Sequence, residues 1–286
     1  MLKQSLFVLL IFLSSCYSPR YVYSPVTQNI PMVRKKNDVQ AAAYIAGGTA
    51  GTFSNSTPHS YNIGMDLHLA YAFTNHFVVL ANQYNRWERN NSNNDVVVGD
   101  SIQIRYKRGL TEFAGGYFSS FNHVNTSFQF LAGFAFGSFN IAESNARNTI
   151  GALRYHNSNV EKFFIQPAII SGISANFTAT FSSRISMVYY KNITTNYSFS
   201  ELNDYFLSDL STSPVFFWEP SMTYLFGSKH IHGFKLETQM GLSVLLNKRF
   251  VDYRTLNVAL GVVSDFKWKP KTKTSTVNPG KKVTNG

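Results

Sequence analysis

The chain is predicted to be all-β, folded as a single antiparallel up-and-down β-barrel of about ten strands (8–12), with long loops on one rim and short turns on the other. Three observations predict it. Apolar residues recur at every second position, the alternating runs outlast an ordinary globular strand, and the connections between them alternate short and long. The content of 25 Phe and 16 Tyr suits strand faces that end in aromatic girdles.

The clearest strand lies at 60–73. Tyr61, Ile63, Met65, Leu67, Leu69, Tyr71 and Phe73 share one face, and Asn62, Gly64, Asp66, His68, Ala70 and Ala72 share the other. It is long enough to cross a hydrocarbon core, which takes roughly 9–11 residues of tilted strand. The same alternation places strands near 38–47, 76–87, 100–118, 125–140, 160–173, 176–191, 214–226, 232–246 and 252–266. In the fourth strand, Ile102, Ile104 and Tyr106 share one parity and Phe113, Gly115 and Tyr117 the other, which predicts a bulge near Arg108-Gly109 or a division. Phe163-Phe164-Ile165-Gln166-Pro167 and Phe216-Phe217-Trp218-Glu219-Pro220 echo one another as openings of repeated hairpins. Each Pro lacks a ladder donor, so a bulge or strand end is expected there. Loops are expected at 48–59, 88–99, 141–159 and 192–213. In the last of these, Ser198-Phe199-Ser200-Glu201 has capping-box spacing and is followed by Leu202, Phe206 and Leu210, which predicts a short amphipathic helix over the barrel mouth.

Ahead of the strands, Lys3 precedes the apolar run Leu6-Phe7-Val8-Leu9-Leu10-Ile11-Phe12, which ends in Leu13-Ser14-Ser15-Cys16. The run is too short to span a bilayer as a helix. The tetrapeptide resembles the lipobox of bacterial lipoproteins, which implies cleavage before Cys16 and acyl chains, palmitate among them, on that residue. The organisation expected is a signal peptide at 1–15, a lipidated tether at 16–37, a barrel at 38–266 and a basic disordered tail at 267–286. The tether and the tail are expected on the same, short-turn rim. Cys16 is the only cysteine, so disulfides and Cys metal sites are excluded.

The formal charge of +11 sits at the ends. Lys3, Arg20, Arg34, Lys35 and Lys36 precede the barrel, Lys267, Lys269, Lys271, Lys273, Lys281 and Lys282 follow it, and neither flank holds a carboxylate. The body is balanced. Basic ends are attracted to anionic lipid headgroups, whereas nucleic-acid binding would need a basic, aromatic-interleaved patch in the body. The partners expected are membrane lipids and a protein at the long loops, with no nucleic acid, and the chain is expected to be a monomer.

No sequence element names a reaction, a cofactor or a metal. Asp66 and His68 lie two apart on one strand face, where a carboxylate can orient an imidazole, but a third partner is not identifiable. With Arg184, Glu219, Lys235 and Glu237 they are expected to form a closed polar network inside a barrel too narrow for an open pore. His230-Ile231-His232 is read as a polar hairpin turn.

Taken with the lipobox, the turn Ala70-Tyr71-Ala72-Phe73-Thr74-Asn75-His76-Phe77, the Gly115-Gly116-Tyr117 element and the two Phe-Phe-x-[Gln/Glu]-Pro strands, the chain resembles small outer-membrane β-barrel lipoproteins common in Bacteroidota. The resemblance implies an address in the outer membrane and carries no catalytic residue. The Lys-rich extension beyond Phe266-Lys267-Trp268 departs from the terminal aromatic at which such barrels usually stop. Three functions stay open: a lipid-anchored barrel with a structural or surface-interaction role, a tethered barrel carrying a small apolar ligand inside, and an outer-membrane hydrolase using Asp66 and His68. Whether the Phe-rich faces point outward or inward decides between the first two.

Overall fold

The computed structural model describes residues 19–48, 61–92, 102–121, 125–145, 153–174, 176–227, 234–247 and 250–267. The strands are β1 (Asp38–Gly47), β2 (Tyr61–Ala72), β3 (Phe77–Ser92), β4 (Ile102–Phe121), β5 (Thr126–Asn145), β6 (Arg154–Ser174) and β7 (Phe177–Thr195). After a short helix α1 (Phe199–Asp204) come β8 (Val215–Gly227), β9 (Phe234–Leu242), β10 (Val244–Leu245) and β11 (Leu256–Lys267). Neighbours in the chain pair antiparallel around the sheet, β8 pairs with β9, and β1 closes on β11 from Asp38↔Lys267 to Gly47↔Val258. The result is a closed, up-and-down barrel of ten strands. β10 continues β9 after an interruption at Ser243, whose N–H turns to the carbonyl of Thr255 opposite the Glu219-Pro220 stretch of β8.

The ends of β2, β4, β6 and β8 lie at one rim, the short-turn rim, where few residues of chain separate them from the next strand. The ends of β1, β3, β5, β7 and β10 lie at the other, the long-loop rim, where the separations in sequence are longer. β3 to β7 are 16 to 21 residues long while β1, β2, β8 and β11 have 10 to 13, so one side of the wall stands much taller at the long-loop rim. The expected loops 88–99 and 141–159 are therefore shorter than predicted, because β3, β5 and β6 run on into them.

The Phe-rich faces point outward. Leu67, Phe113, Phe134, Ile165, Phe181, Met222, Leu236 and Leu260 are exposed, and so is Ile45 on β1. The opposite parity, including Asp66, His68, Glu112, Lys162, Arg184 and Glu219, is buried inside. Toward the long-loop mouth the inner face turns apolar. There Ile104, Tyr106, Phe139, Ile141, Val188 and Tyr190 pack with Tyr21, Val22, Tyr197, Leu207, Leu210 and Val251.

That change corrects the reading of the fourth strand. β4 keeps an unbroken register with β3 and with β5 through Arg108 and Gly109, with no bulge and no division. From Ile104 to Phe118 its even positions face inward. Apolar residues move from outward Phe113 and Tyr117 to inward Ile104 and Tyr106 because the outer face becomes polar, with exposed Arg105 and Lys107, where the wall rises past the apolar belt. The prolines also sit within strands: Pro167 faces Phe130 and Pro220 faces Ser183 without a register shift. Each lies beside a gap in the ladder on its other side, at Gln166-Pro167 toward β7 and at Glu219-Pro220 toward β9 and β10, where the missing donor is not required.

A larger correction concerns the segment read as a tether. Residues 19–33 run inside the barrel, with Arg20, Tyr21, Val22, Tyr23, Thr27, Gln28, Asn29, Ile30 and Val33 buried, and Arg34, Lys35 and Lys36 form an exposed turn before β1. The N–H of Asn37 donates to the carbonyl of Ala72 at the short-turn rim, whereas Tyr106 reaches the carbonyl of Pro19 near the long-loop mouth. Pro19 and Lys267 thus lie at opposite rims, because the segment's polar and aromatic side chains find partners along the lumen.

The plugged lumen as candidate functional site

Pro19, Pro25 and Pro31 punctuate the plug at six-residue intervals. They favour an extended chain with few donors to satisfy. The wall satisfies the rest. Near the short-turn end, Met32 donates its N–H to Oε1 of Gln40, and Gln129 donates to the carbonyl of Pro31. Further up, Gln166 reaches the carbonyl of Asn29 at 3.1 Å, Asn29 donates to Asn82 at 2.7 Å, and Gln239 both accepts from the N–H of Gln28 and donates to its carbonyl.

Charged wall residues are neutralised in layers. Asp66 forms an ion pair with Arg86 and accepts both the hydroxyl and the N–H of Thr27. Gly64 makes this pair feasible, since a Cβ there would lie 2.2 Å from the Arg86 guanidinium. Arg184 pairs with Glu112 at 3.0 Å and stacks over Phe164 at 4.1 Å, while Asn82 and Tyr84 donate to the same carboxylate. Lys162 donates to Glu219 at 3.1 Å and to the hydroxyl of Tyr23 at 2.8 Å, and that hydroxyl donates to Glu219 at 2.6 Å. At the mouth, Glu88 takes Arg108 and Arg254, and Glu143 takes Arg20 of the plug and the hydroxyl of Tyr197. A buried charge is tolerated only when paired and hydrogen-bonded. These layers meet that condition, partly with groups the plug supplies.

Of the six residues predicted for the lumen, Asp66 and His68 are joined through Thr27, and Arg184 and Glu219 bind the Glu112 and Lys162 layers. Glu237 is buried and accepts from Tyr44 at 2.9 Å. Lys235 falls outside the network: it sits at the short-turn rim, paired with Asp265, both about one-third exposed. Sequence reasoning missed Arg86, Glu88, Arg108, Glu112, Glu143, Lys162 and Arg254. All but one share the inward parity of β3 to β6, and that parity was the available signal.

The arrangement does not make a hydrolytic site of Asp66 and His68. Thr27 supplies the missing third group, but its hydroxyl donates to Asp66 and lies 3.0 Å from Nε2 of His68. Nδ1 of His68 has no partner among the described residues, so the carboxylate does not orient the ring. Asp66 is fully buried and His68 is 5 % exposed, so a substrate has no approach. Between plug and wall lies a cavity of about 40 Å³ lined by Tyr23, Tyr84, Arg86, Arg108 and Phe139 among others, room for a water or two. Among the described residues, no cluster of three or more His, Cys, Asp or Glu is placed to hold a metal ion. His230-Ile231-His232 lies outside the described residues.

No family model and no curated protein matches the chain. Among solved structures it is similar to the N-terminal β-barrel domain of Pseudomonas aeruginosa OprF, at 12% identity over 81% of this chain and 99% of that one, with a TM-score of 0.33. It is also similar to the translocator domain of autotransporter NalP from Neisseria meningitidis, at 11% identity over 81% and 88%, TM-score 0.42. A major outer membrane protein from Thermus thermophilus matches at 9% identity over 80% and 99%, TM-score 0.36.

Proposed function

We propose that this chain is a self-plugged outer-membrane β-barrel lipoprotein, acylated at Cys16, with a structural or surface-interaction role and no catalysis. The observation that carries the reading is the pairing of an apolar exterior with an interior filled by the protein's own residues 19–33. Large apolar side chains exposed on strands all around the barrel far exceed what a water-facing surface displays, and they suit lipid. A lumen whose charges are paired with the wall and the plug leaves no conduit and no reaction cleft.

In this reading the long loops face outside the cell and offer the surface for a partner, while the basic tail after Lys267 lies against phospholipid headgroups on the other side. Outer-membrane lipids are the standing partners, nucleic acid is not one, and the barrel acts as a monomer. The test is folding into lipid. Purified protein should migrate faster unboiled than boiled on a detergent gel, and its strands should resist protease in vesicles. Release of a Cys16→Ala variant as a soluble, protease-sensitive monomer would overturn the reading.

A further inference from the structure

We propose that the barrel carries its own N-terminus through the membrane, so that the acylated end of the chain lies on the long-loop face. The inference rests on the outer-membrane lipoprotein reading above. The plug enters beside Ala72 at the short-turn rim and reaches the mouth at Pro19 and Arg20, where Arg20 pairs with Glu143 and stacks over Tyr205 at 4.0 Å. Residues 19–33 can extend to about 50 Å at 3.3–3.6 Å per residue, ample for a hydrocarbon core of about 30 Å.

The wall holds this path by its main chain. Gln239, Gln166, Gln129, Arg108, Tyr190 and Tyr106 each donate to a plug carbonyl, from Gln28, Asn29, Pro31, Tyr21, Val22 and Pro19 in turn. Contacts from several strands to carbonyls spread along the plug, from Pro19 to Pro31, fix both the course and the direction of an extended peptide. Pro19 lies only three residues along the chain from Cys16, a reach of about 11 Å. The anchor cannot return to the opposite face. Since β1 closes on β11 and the plug lies buried within the closed wall, the threading has the segment in place before those two strands pair.

The test is surface labelling of intact bacteria that express the full chain. One version carries an epitope between Ser18 and Pro19, a second carries it after Ala146, and a third carries it after Gly286. A faster-migrating unboiled form establishes that each has folded. The first two epitopes should bind antibody on intact cells, and the third only after the outer membrane is permeabilised. An N-terminal epitope that needs permeabilisation while the loop epitope does not would overturn the threading. If the loop epitope also stays hidden, the outer-membrane reading fails instead. A Ser18→Lys variant probed with an impermeant amine reagent and mass spectrometry gives the same answer with one side chain changed: labelling at position 18 on intact cells supports the crossing, and labelling only after permeabilisation contradicts it.

Discussion

The hydroxyl of Thr27 donates to Oδ2 of Asp66 at 2.6 Å and lies 3.0 Å from Nε2 of His68. One plug side chain therefore joins two buried wall groups: Asp66, which also pairs with Arg86, and His68, whose Nδ1 has no partner among the described residues. Thr27→Val removes the hydroxyl at constant shape and should cost about 1–3 kcal/mol, the penalty for leaving a buried polar group unsatisfied. Thr27→Ser should recover most of it. The measurement is the urea concentration at which the heat-modifiable band is lost in detergent.

Arg184 and Glu112 are each about 1 % exposed at the side chain. Arg184→Met strands a carboxylate in the lumen, which should cost about 3–5 kcal/mol. Adding Glu112→Gln removes that charge, so the double variant should be more stable than Arg184→Met alone. Chemical denaturation of the two single variants and the double, read against the unaltered protein as a double-mutant cycle, checks the order.

Gly64 is required by the close approach of Arg86, whereas the nearest atom to a Cβ at Gly109 would be 3.7 Å away. Gly64→Ala should force the guanidinium off Asp66 and cost about 1–3 kcal/mol, as overpacking does. Gly109→Ala should be close to neutral. Midpoints of thermal conversion between the fast and slow bands separate the two.

Helix α1 is held at both ends. Ser198 and Glu201 form a capping box, and Leu207 donates to the carbonyl of Leu202 at 2.8 Å past Phe206, which takes a positive φ of 55°. Loss of the cap in Ser198→Ala should weaken the helix by about 1 kcal/mol. Burial pushes the Glu201 carboxyl up, but hydrogen bonds from the Ser198 backbone and side chain and the Arg154 guanidinium outweigh this and hold it below the usual range. Its contribution is therefore fully present above the ordinary carboxylate pKa and is lost as pH falls through the lowered value. Hydrogen exchange at the Leu207 amide, corrected for intrinsic rate, should show protection falling on that acid side; protection independent of pH there would refute the coupling.

The strands were legible because burial on a barrel wall alternates by twos, and Tyr61 to Phe73 display it without exception. Ion-pair layers were half legible. Asp66 and Arg184 stood out, but Arg86 and Glu112 show as partners only once the register sets their strands side by side. The plug was not legible at all. Tyr21, Val22, Tyr23, Thr27 and Gln28 have no period of their own, and their burial follows from a tube closed by residues far along the chain. Parity also misled at β4, where the outer face passes from apolar to polar and the apolar residues change sides.

The central claim is that residues 19–33 close the barrel, and ion conductance across planar bilayers tests it most directly. Purified full-length protein in molar KCl should insert, as shown by recovery of the heat-modifiable form from the same vesicles, without giving discrete current steps. Reproducible ion-selective steps from that protein would contradict the account, in which the plug and its paired charges close the lumen.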